Sequence, residues 1–183
     1  MTTEQPITLR PYQADDILPL YEAASESIAD IYPWMPWCHP GYTIEDSRSW
    51  IKSRLGAWGQ PDYDFVIIEQ ATGRFLGAVG LNQINRVHDF ANLGYWVRSS
   101  AAGRGIALQA VRLCARFGFD ELKLHRLEIV VDVDNRRSQR VAEKAGATRE
   151  GLARQRCKSG DTYRDAVMFS LLPIDLGDSP TWV

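Results

Sequence analysis

The chain has 183 residues, 45% hydrophobic and 24% charged, with a formal net charge of −2 at pH 7. That length suits a single domain spanning residues 1–183 with a substantial core, and the composition is that of an ordinary folded protein. The near-neutral balance disfavours nucleic-acid binding, and Cys38, Cys114 and Cys157 are too few and too irregularly spaced for a disulfide framework or a zinc site. With no signal peptide and no apolar run of membrane-spanning length, the chain reads as soluble and cytoplasmic, with no membrane partner and no metal.

Ile7–Arg10 predicts a first strand, closed by Pro11. Asp15 and Asp16 sit where a helix start favours carboxylates, and Ile17, Leu20, Tyr21, Ala24 and Ile28 form the stripe of a first helix. Between Ile31 and Pro40, Pro33, Pro36 and Pro40 forbid a helix, yet Tyr32, Trp34, Met35 and Trp37 make the segment apolar. An apolar loop needs burial or a ligand, so this one is either an aromatic plug on the core or the wall of a binding groove. Thr43, with Asp46 three residues on, predicts a capping box for a second helix carrying Trp50, Ile51, Leu55 and Trp58 and ending at Gly59–Pro61.

Tyr63–Glu69 and Phe75–Ile84 predict an antiparallel pair turning at Thr72-Gly73, and a short link leads to a strand over Phe90–Val97. Leu108, Val111, Leu113, Cys114, Ala115 and Phe117 then recur near helical spacing. Leu127, Ile129, Val131 and Val133 alternate on a further strand. A helix over Asn135–Lys144 is stopped by Gly146, and two last strands turn at Ser159-Gly160-Asp161. The order is that of a mixed α/β (α+β) domain.

The organising stretch runs from Gly94 to Ala107, where a strand passes through a small-residue turn directly into a helix. Gly103 and Gly105 have no side chains to block a ligand. The backbone N–H groups of Ala101, Ala102, Gly103, Arg104, Gly105 and Ile106 can therefore converge on an anion, helped by the unpaired donors and partial positive charge of a helix start. Neither familiar nucleotide fingerprint fits. No Gly-Lys pair occurs for a mononucleotide loop, and Leu108 stands where a dinucleotide loop needs its third glycine.

The stretch instead resembles the acyl-coenzyme A loop of the GNAT N-acetyltransferase superfamily, which reads roughly Gln/Arg-x-x-Gly-x-Gly/Ala. Gly103 and Gly105 match, and Ser100 departs from the first position. The element order resembles the same fold across essentially the whole chain. Four further stretches are similar to the branch that acetylates the alanine or serine amino termini of ribosomal proteins: Pro33–Trp37, Asn92–Val97, Val133–Ser138 with Ala145–Ala147 and Glu150-Gly151, and Gly160–Asp165.

The resemblance implies a central sheet of about seven strands splayed between the fourth and fifth, with about four helices around it, and acetyl-CoA as acetyl donor. It implies that the backbone of Tyr95, Trp96 and Val97 bonds the pantetheine arm, with the Val97 N–H also facing the developing oxyanion. Residues 101–106 would hold the pyrophosphate, with Arg98 and Arg104 either adding contacts to phosphate oxygens or standing as solvated arginines. Asn135 would touch the cofactor while capping its helix, and Ser138 would protonate the departing thiolate, its plain alternative being a surface serine. Trp34, Trp37 and Tyr163 would wall the acceptor site.

The general base is not legible, because Asn92 stands where many relatives have Glu. Glu69, Asp89, Glu128 and Asp165 remain as candidates, Cys157 reads as an inert buried thiol, and water-mediated deprotonation is the alternative. The acceptor is an amine: a protein N-terminus is favoured, with small-molecule amines or a non-catalytic coenzyme A-binding domain as alternatives. The resemblance also allows a homodimer.

Overall fold

The structure is a computed structural model and describes residues 6–59 and 61–177. The strands β1 (Ile7–Pro11), β2 (Tyr63–Glu69), β3 (Phe75–Asn85), β4 (Phe90–Val97), β5 (Arg126–Asp132), β6 (Thr148–Ser159) and β7 (Thr162–Leu171) lie in one sheet, in the order β1-β2-β3-β4-β5-β7-β6. The β4–β5 pair is parallel and the other neighbours are antiparallel. Among the described residues five α-helices accompany them: α1 (Ile17–Ser25), α2 (Ile28–Ile31), α3 (Ile44–Arg54), α4 (Ile106–Asp120) and α5 (Arg136–Ala145).

Strand alternation divides the apolar residues between two faces. Leu76, Leu81, Leu93, Leu127, Ile129 and Phe169 pack with Ile106, Val111 and Ala115 of α4 and with Ala142 of α5. Val66 and Ala78 point the other way, against Leu20 and Ala23 of α1 and Ile51 of α3. The sheet is therefore a middle layer with helices on both faces.

Two expectations are corrected. The stripe from Ile17 to Ile28 is not one helix: it breaks at Ser27, whose buried hydroxyl donates to the Ala23 carbonyl at 2.6 Å and accepts the Ser99 N–H at 2.9 Å. This makes a fifth helix, α2. The second predicted helix stops at Arg54, because Leu55 turns extended and Gly56 takes a left-handed φ of +76°. Trp58 thus leaves the helix and packs edge-on against Tyr63 and Phe65. The Thr43–Asp46 capping box is present with both of its bonds.

The break at Ser27 also positions the segment after β4. Arg98 turns inward and is buried; its guanidinium donates to both carboxylate oxygens of Glu26 and to the Phe75 carbonyl. Ser100 donates to the same carboxylate through its hydroxyl at 2.7 Å and its N–H at 3.2 Å. These bonds fasten residues 98–100 to the end of α1. They hold the Glu26 carboxyl at about 2, the Arg98 bonds contributing most. Because that value lies below the ordinary 4.5, the contribution to stability is full above 4.5 and is lost as pH falls towards 2. Glu26→Gln is therefore expected to destabilise the protein at pH 7. Its difference from wild type in chemical denaturation should shrink as pH falls through that window; a difference independent of pH would contradict the assignment.

Candidate active site

The β4–β5 ladder is short: Phe90, Ala91 and Asn92 pair with Arg126, Leu127 and Glu128, and the pairing stops there. On its other side β4 stays paired with β3 as far as Val97 opposite Gly77. From Leu93 onward, then, one edge of β4 has no strand neighbour. Strand N–H groups alternate sides, and the Arg98 N–H bonds the Leu76 carbonyl of β3 at 2.8 Å. The N–H groups of Val97 and Tyr95 consequently face the open edge.

Beyond it, a single turn over Ser99–Ala101 consumes the N–H groups of Ala101 and Ala102, which bond the carbonyls of Arg98 and Ser99. The first backbone bond into α4 is from the Gln109 N–H to the Gly105 carbonyl. Among the described residues, no backbone acceptor meets the N–H groups of Gly103, Arg104, Gly105, Ile106, Ala107 or Leu108. The available donors thus lie two residues later than the sequence implied, at 103–108, around a helix start. Gly103 and Gly105 are both left-handed, with φ of +77° and +78°, and a Cβ on Gly103 would meet nothing within 4 Å. That open space, bounded by unpaired amides, fits an anionic group, and the buried Nε2 of Gln109 close by has no hydrogen-bond partner.

Arg98 does not act as expected. Arg98 is committed to Glu26, so no phosphate role is left for its side chain. Arg104 is half-buried at the cradle and donates to Glu69 at 2.7 Å.

Asn135 caps α5, its Oδ1 accepting the Ser138 N–H at 3.1 Å. Ser138 itself is not a free surface serine. Its hydroxyl lies 2.7 Å from the Tyr95 hydroxyl, which also donates to the Ser138 carbonyl at 3.1 Å, so the two residues meet across the parted strands. Burial pushes the Tyr95 phenol up to about 12, keeping it protonated. Sequence reasoning had used only the backbone of Tyr95; the tyrosine–serine pair becomes visible once α5 is laid beside β4.

On the opposite face a cavity of about 550 Å³ opens between α1, α3 and the β3–β4 pair. Trp37 lines it, edge-on to Trp96 at 5.4 Å. Trp34 and Tyr163 do not line it: Trp34 lies under the Arg164 guanidinium at 5.3 Å, and Tyr163 is exposed beside Lys158. Lying close to Trp37 in sequence did not bring Trp34 into the cavity, because the chain turns between them.

None of the candidate bases lines the cavity either. Glu69 accepts from Thr72 and Arg104, which lower its carboxyl, and Glu128 accepts from Arg126. Asp165 accepts the Gln155 N–H at 2.8 Å, and Asp89 lies in the β3–β4 turn. Burial raises the Cys157 thiol, the reverse of activation. Asn92 donates to Asn82 at 3.0 Å. The carboxylates that do line the cavity are Asp46, spent on capping Thr43, and Asp64, which sequence reasoning passed over. Its signal was there: a carboxylate between Tyr63 and Phe65, at the head of the apolar run of β2.

Comparison with known proteins agrees with this geometry. Residues 7–148 match the family described as acetyltransferase (GNAT) domain. YjcK of Bacillus subtilis, named a probable N-acetyltransferase, is 38% identical over 73% of this chain and 75% of its own length. YdaF of the same organism, whose name marks it provisionally as a ribosomal N-acetyltransferase, is 34% identical over 91% of both chains. RimJ of Mycobacterium smegmatis, solved with a coenzyme A disulfide, superposes with a TM-score of 0.84 at 24% identity, covering 94% of this chain and 85% of that one. The chain belongs to the GNAT acetyltransferase family.

Among the described residues no helix is long and apolar enough to cross a membrane, and no cluster of His, Cys, Asp and Glu could hold a metal ion. A β-branched residue at Gly103 would meet both a forbidden φ and the ligand space. Gly103→Val is expected to weaken coenzyme A binding at least about tenfold by calorimetry while costing about 1–2 kcal/mol of stability; unchanged affinity would reduce the turn to a packing feature.

Proposed function

We propose that this chain is an acetyl-CoA-dependent N-acetyltransferase whose acceptor is the α-amino group of a protein N-terminus, of the kind ribosomal proteins carry. The observation that carries the reading is the unpaired edge of β4 from Leu93 to Val97, followed after the bonded residues 98–102 by the free amides at 103–108. The likeness to YdaF and the coenzyme A complex of the RimJ homologue support it.

The thioester supplies an electrophilic acyl carbon; this chain's residues supply position and proton traffic. The edge amides of β4 offer bonds to the amides of a pantetheine arm, as a missing strand would, and the Val97 N–H takes the role of oxyanion donor. The 103–108 amides hold the diphosphate, and Asn135 fixes the start of α5 beside the arm. Ser138, backed by a Tyr95 phenol that keeps its proton, is placed to protonate the departing thiolate. An α-amino group, with an unperturbed pKa near 8, is partly neutral at pH 7, whereas a lysine near 10.4 is not. A site without an enzyme nucleophile therefore suits the former.

Thiol release from acetyl-CoA, measured with a panel of N-terminal peptides and with lysine-bearing controls, tests the reading. Faster release with free α-amines is expected. Tight coenzyme A binding without an acetylated product from a cell extract would speak for a non-catalytic domain. Ser138→Ala is expected to lower kcat about 10- to 100-fold while moving the coenzyme A Kd less than about twofold, and Tyr95→Phe to lower kcat by a smaller factor. Equal kcat for Ser138→Ala and wild type would remove Ser138 from the chemistry.

A further inference from the structure

We infer that Asp64 is the carboxylate that meets the acceptor's ammonium, and that the cavity selects α-amines whose own side chain is large and apolar. The inference rests on the N-terminal acetyltransferase reading and specifies its acceptor.

The argument begins with register. Asp64 of β2 lies opposite Gly80 of β3, and Gly80 lies opposite Gly94 of β4. Directly paired residues share a face, so a row runs across the sheet from Asp64 to the open edge, about 10 Å at two interstrand spacings. Two side chains are missing from that row. At Gly80 a Cβ would come within 2.7 Å of Asp64 Oδ1, so the carboxylate lies over the glycine and aims along the row. At Gly94 a Cβ would meet only Asn92 Nδ2, at 3.9 Å. Gly94 lies two residues beyond Asn92, the last residue of β4 paired with β5. The glycines thus leave a corridor from a carboxylate to the edge where the acyl carbon would lie.

Asp64 is only half used by the fold. Its Oδ2 accepts from Arg54 at 2.8 Å, while Oδ1 has no hydrogen-bond donor among the described residues. Burial raises its carboxyl above the ordinary range, opposed by the Arg54 bond and charge and aided by the neighbouring Asp62. The other titratable groups facing it are the buried Tyr12 phenol and, through the sheet, the buried Cys114 thiol, both raised and neutral. A carboxylate moved upward towards neutrality is a better proton acceptor than an ordinary surface aspartate.

Around it the cavity walls are mainly apolar and aromatic, with Tyr12, Trp37, Tyr42, Trp50 and Trp96 contributing rings. Asp46, the other lining carboxylate, lies at a solvent-accessible position and is hydrogen-bonded to Thr43 through Oδ2. Asp64 among the apolar walls suits one ammonium on an apolar body rather than a polyamine with several charges to bury. The volume of about 550 Å³ has room for a large side chain together with its backbone. In the reaction the ammonium gives one proton to Asp64. The neutral nitrogen then bonds the acyl carbon, and as the C–S bond breaks the thiolate takes the Ser138 hydroxyl proton. The second proton leaving nitrogen passes through water to restore the Ser138 hydroxyl, and Asp64 releases its proton to solvent.

The test is steady-state kinetics of the full chain with acetyl-CoA. Acceptors are peptides beginning with Met, Leu or Phe, peptides beginning with Ser, Ala or Glu, and spermidine; coenzyme A affinity is measured separately by calorimetry. Large apolar first residues are expected to give the highest kcat/KM, with spermidine and Glu at least about tenfold lower. Asp64→Asn should lower acceptor kcat/KM about 10²-fold, and Gly94→Val, which blocks the corridor at an open and unstrained position, should do likewise. Asp64→Asn should leave the coenzyme A Kd within about twofold. Arg54→Gln separates proton transfer from mere tethering: it should keep activity at high pH and move the acidic limb upward, since Arg54 holds Asp64 down. The inference is overturned if Asp64→Asn retains wild-type kcat/KM, if Arg54→Gln and Asp64→Asn lose activity equally at every pH, or if spermidine or Glu peptides are preferred. Coenzyme A binding with no amine acetylated would instead bring down the acetyltransferase reading, and this one with it.

Discussion

Everything at the site depends on one interruption, the loss of β4–β5 pairing after Asn92. A buried backbone amide without a partner costs free energy comparable to a lost hydrogen bond, so a strand edge inside a sheet is not left open at random. Here the opening is sustained because β4 keeps an unbroken ladder to β3 from Asn92 to Val97, and because β5 is held from its far side by β7, from Leu127 opposite Leu171 to Asp132 opposite Ala166. Each strand is anchored on the side away from the gap. The gap is thus a property of the ladder, and it leaves amides facing a space that an extended, amide-bearing ligand could bond.

The same economy governs the loop beyond β4. Its first residues satisfy their bonds at once, through the Ser99–Ala101 turn, the Glu26 carboxylate and the Ser27 hydroxyl. Its later residues satisfy none until α4 begins. Arg98 belongs to the first set. An exposed arginine at a helix start would attract phosphate; a buried one must be paired, and it is paired with Glu26. The charge that the sequence offers to the ligand is instead spent on holding rigid the backbone that offers the amides.

The sequence showed the architecture well and the site unevenly, and the difference is physical. Alternating runs such as Leu93-Tyr95-Val97 declare a strand by themselves, and the glycines at 103 and 105 declare a turn that side chains must avoid. Ser99 and Ser100 declare nothing, because their partners Ser27 and Glu26 lie about seventy positions away in the chain. The break between α1 and α2 was hidden for the same reason: the helical stripe continues through it, and only the bonds of Ser27 to Ala23 and Ser99 end the helix. Trp34 and Trp37 looked equivalent as neighbouring aromatics in a proline-rich segment. The turns between them send one to Arg164 and the other to Trp96. Asp64 was legible only as an oddity, a charge in an apolar strand, and its meaning depends on which residues lie opposite in register.

Strand alternation would also keep the two proton steps of the proposed reaction apart. Trp96 packs towards α1 and α3 with the cavity and Asp64, whereas Tyr95 packs towards α4 and reaches Ser138 on α5. Consecutive residues of one strand therefore serve opposite faces of the sheet, and the open edge is the line where those faces meet. An amine arriving over Gly80 and Gly94 and a thiol leaving beside Ser138 would approach one carbon from different sides. The raised Asp64 carboxyl suits the side that must accept a proton, and the raised Tyr95 phenol suits the side that must keep one to give. Burial raises both groups, and the direction is useful for opposite reasons: an acid becomes a stronger base as its pKa climbs towards neutrality, and a phenol already above neutrality becomes more firmly protonated.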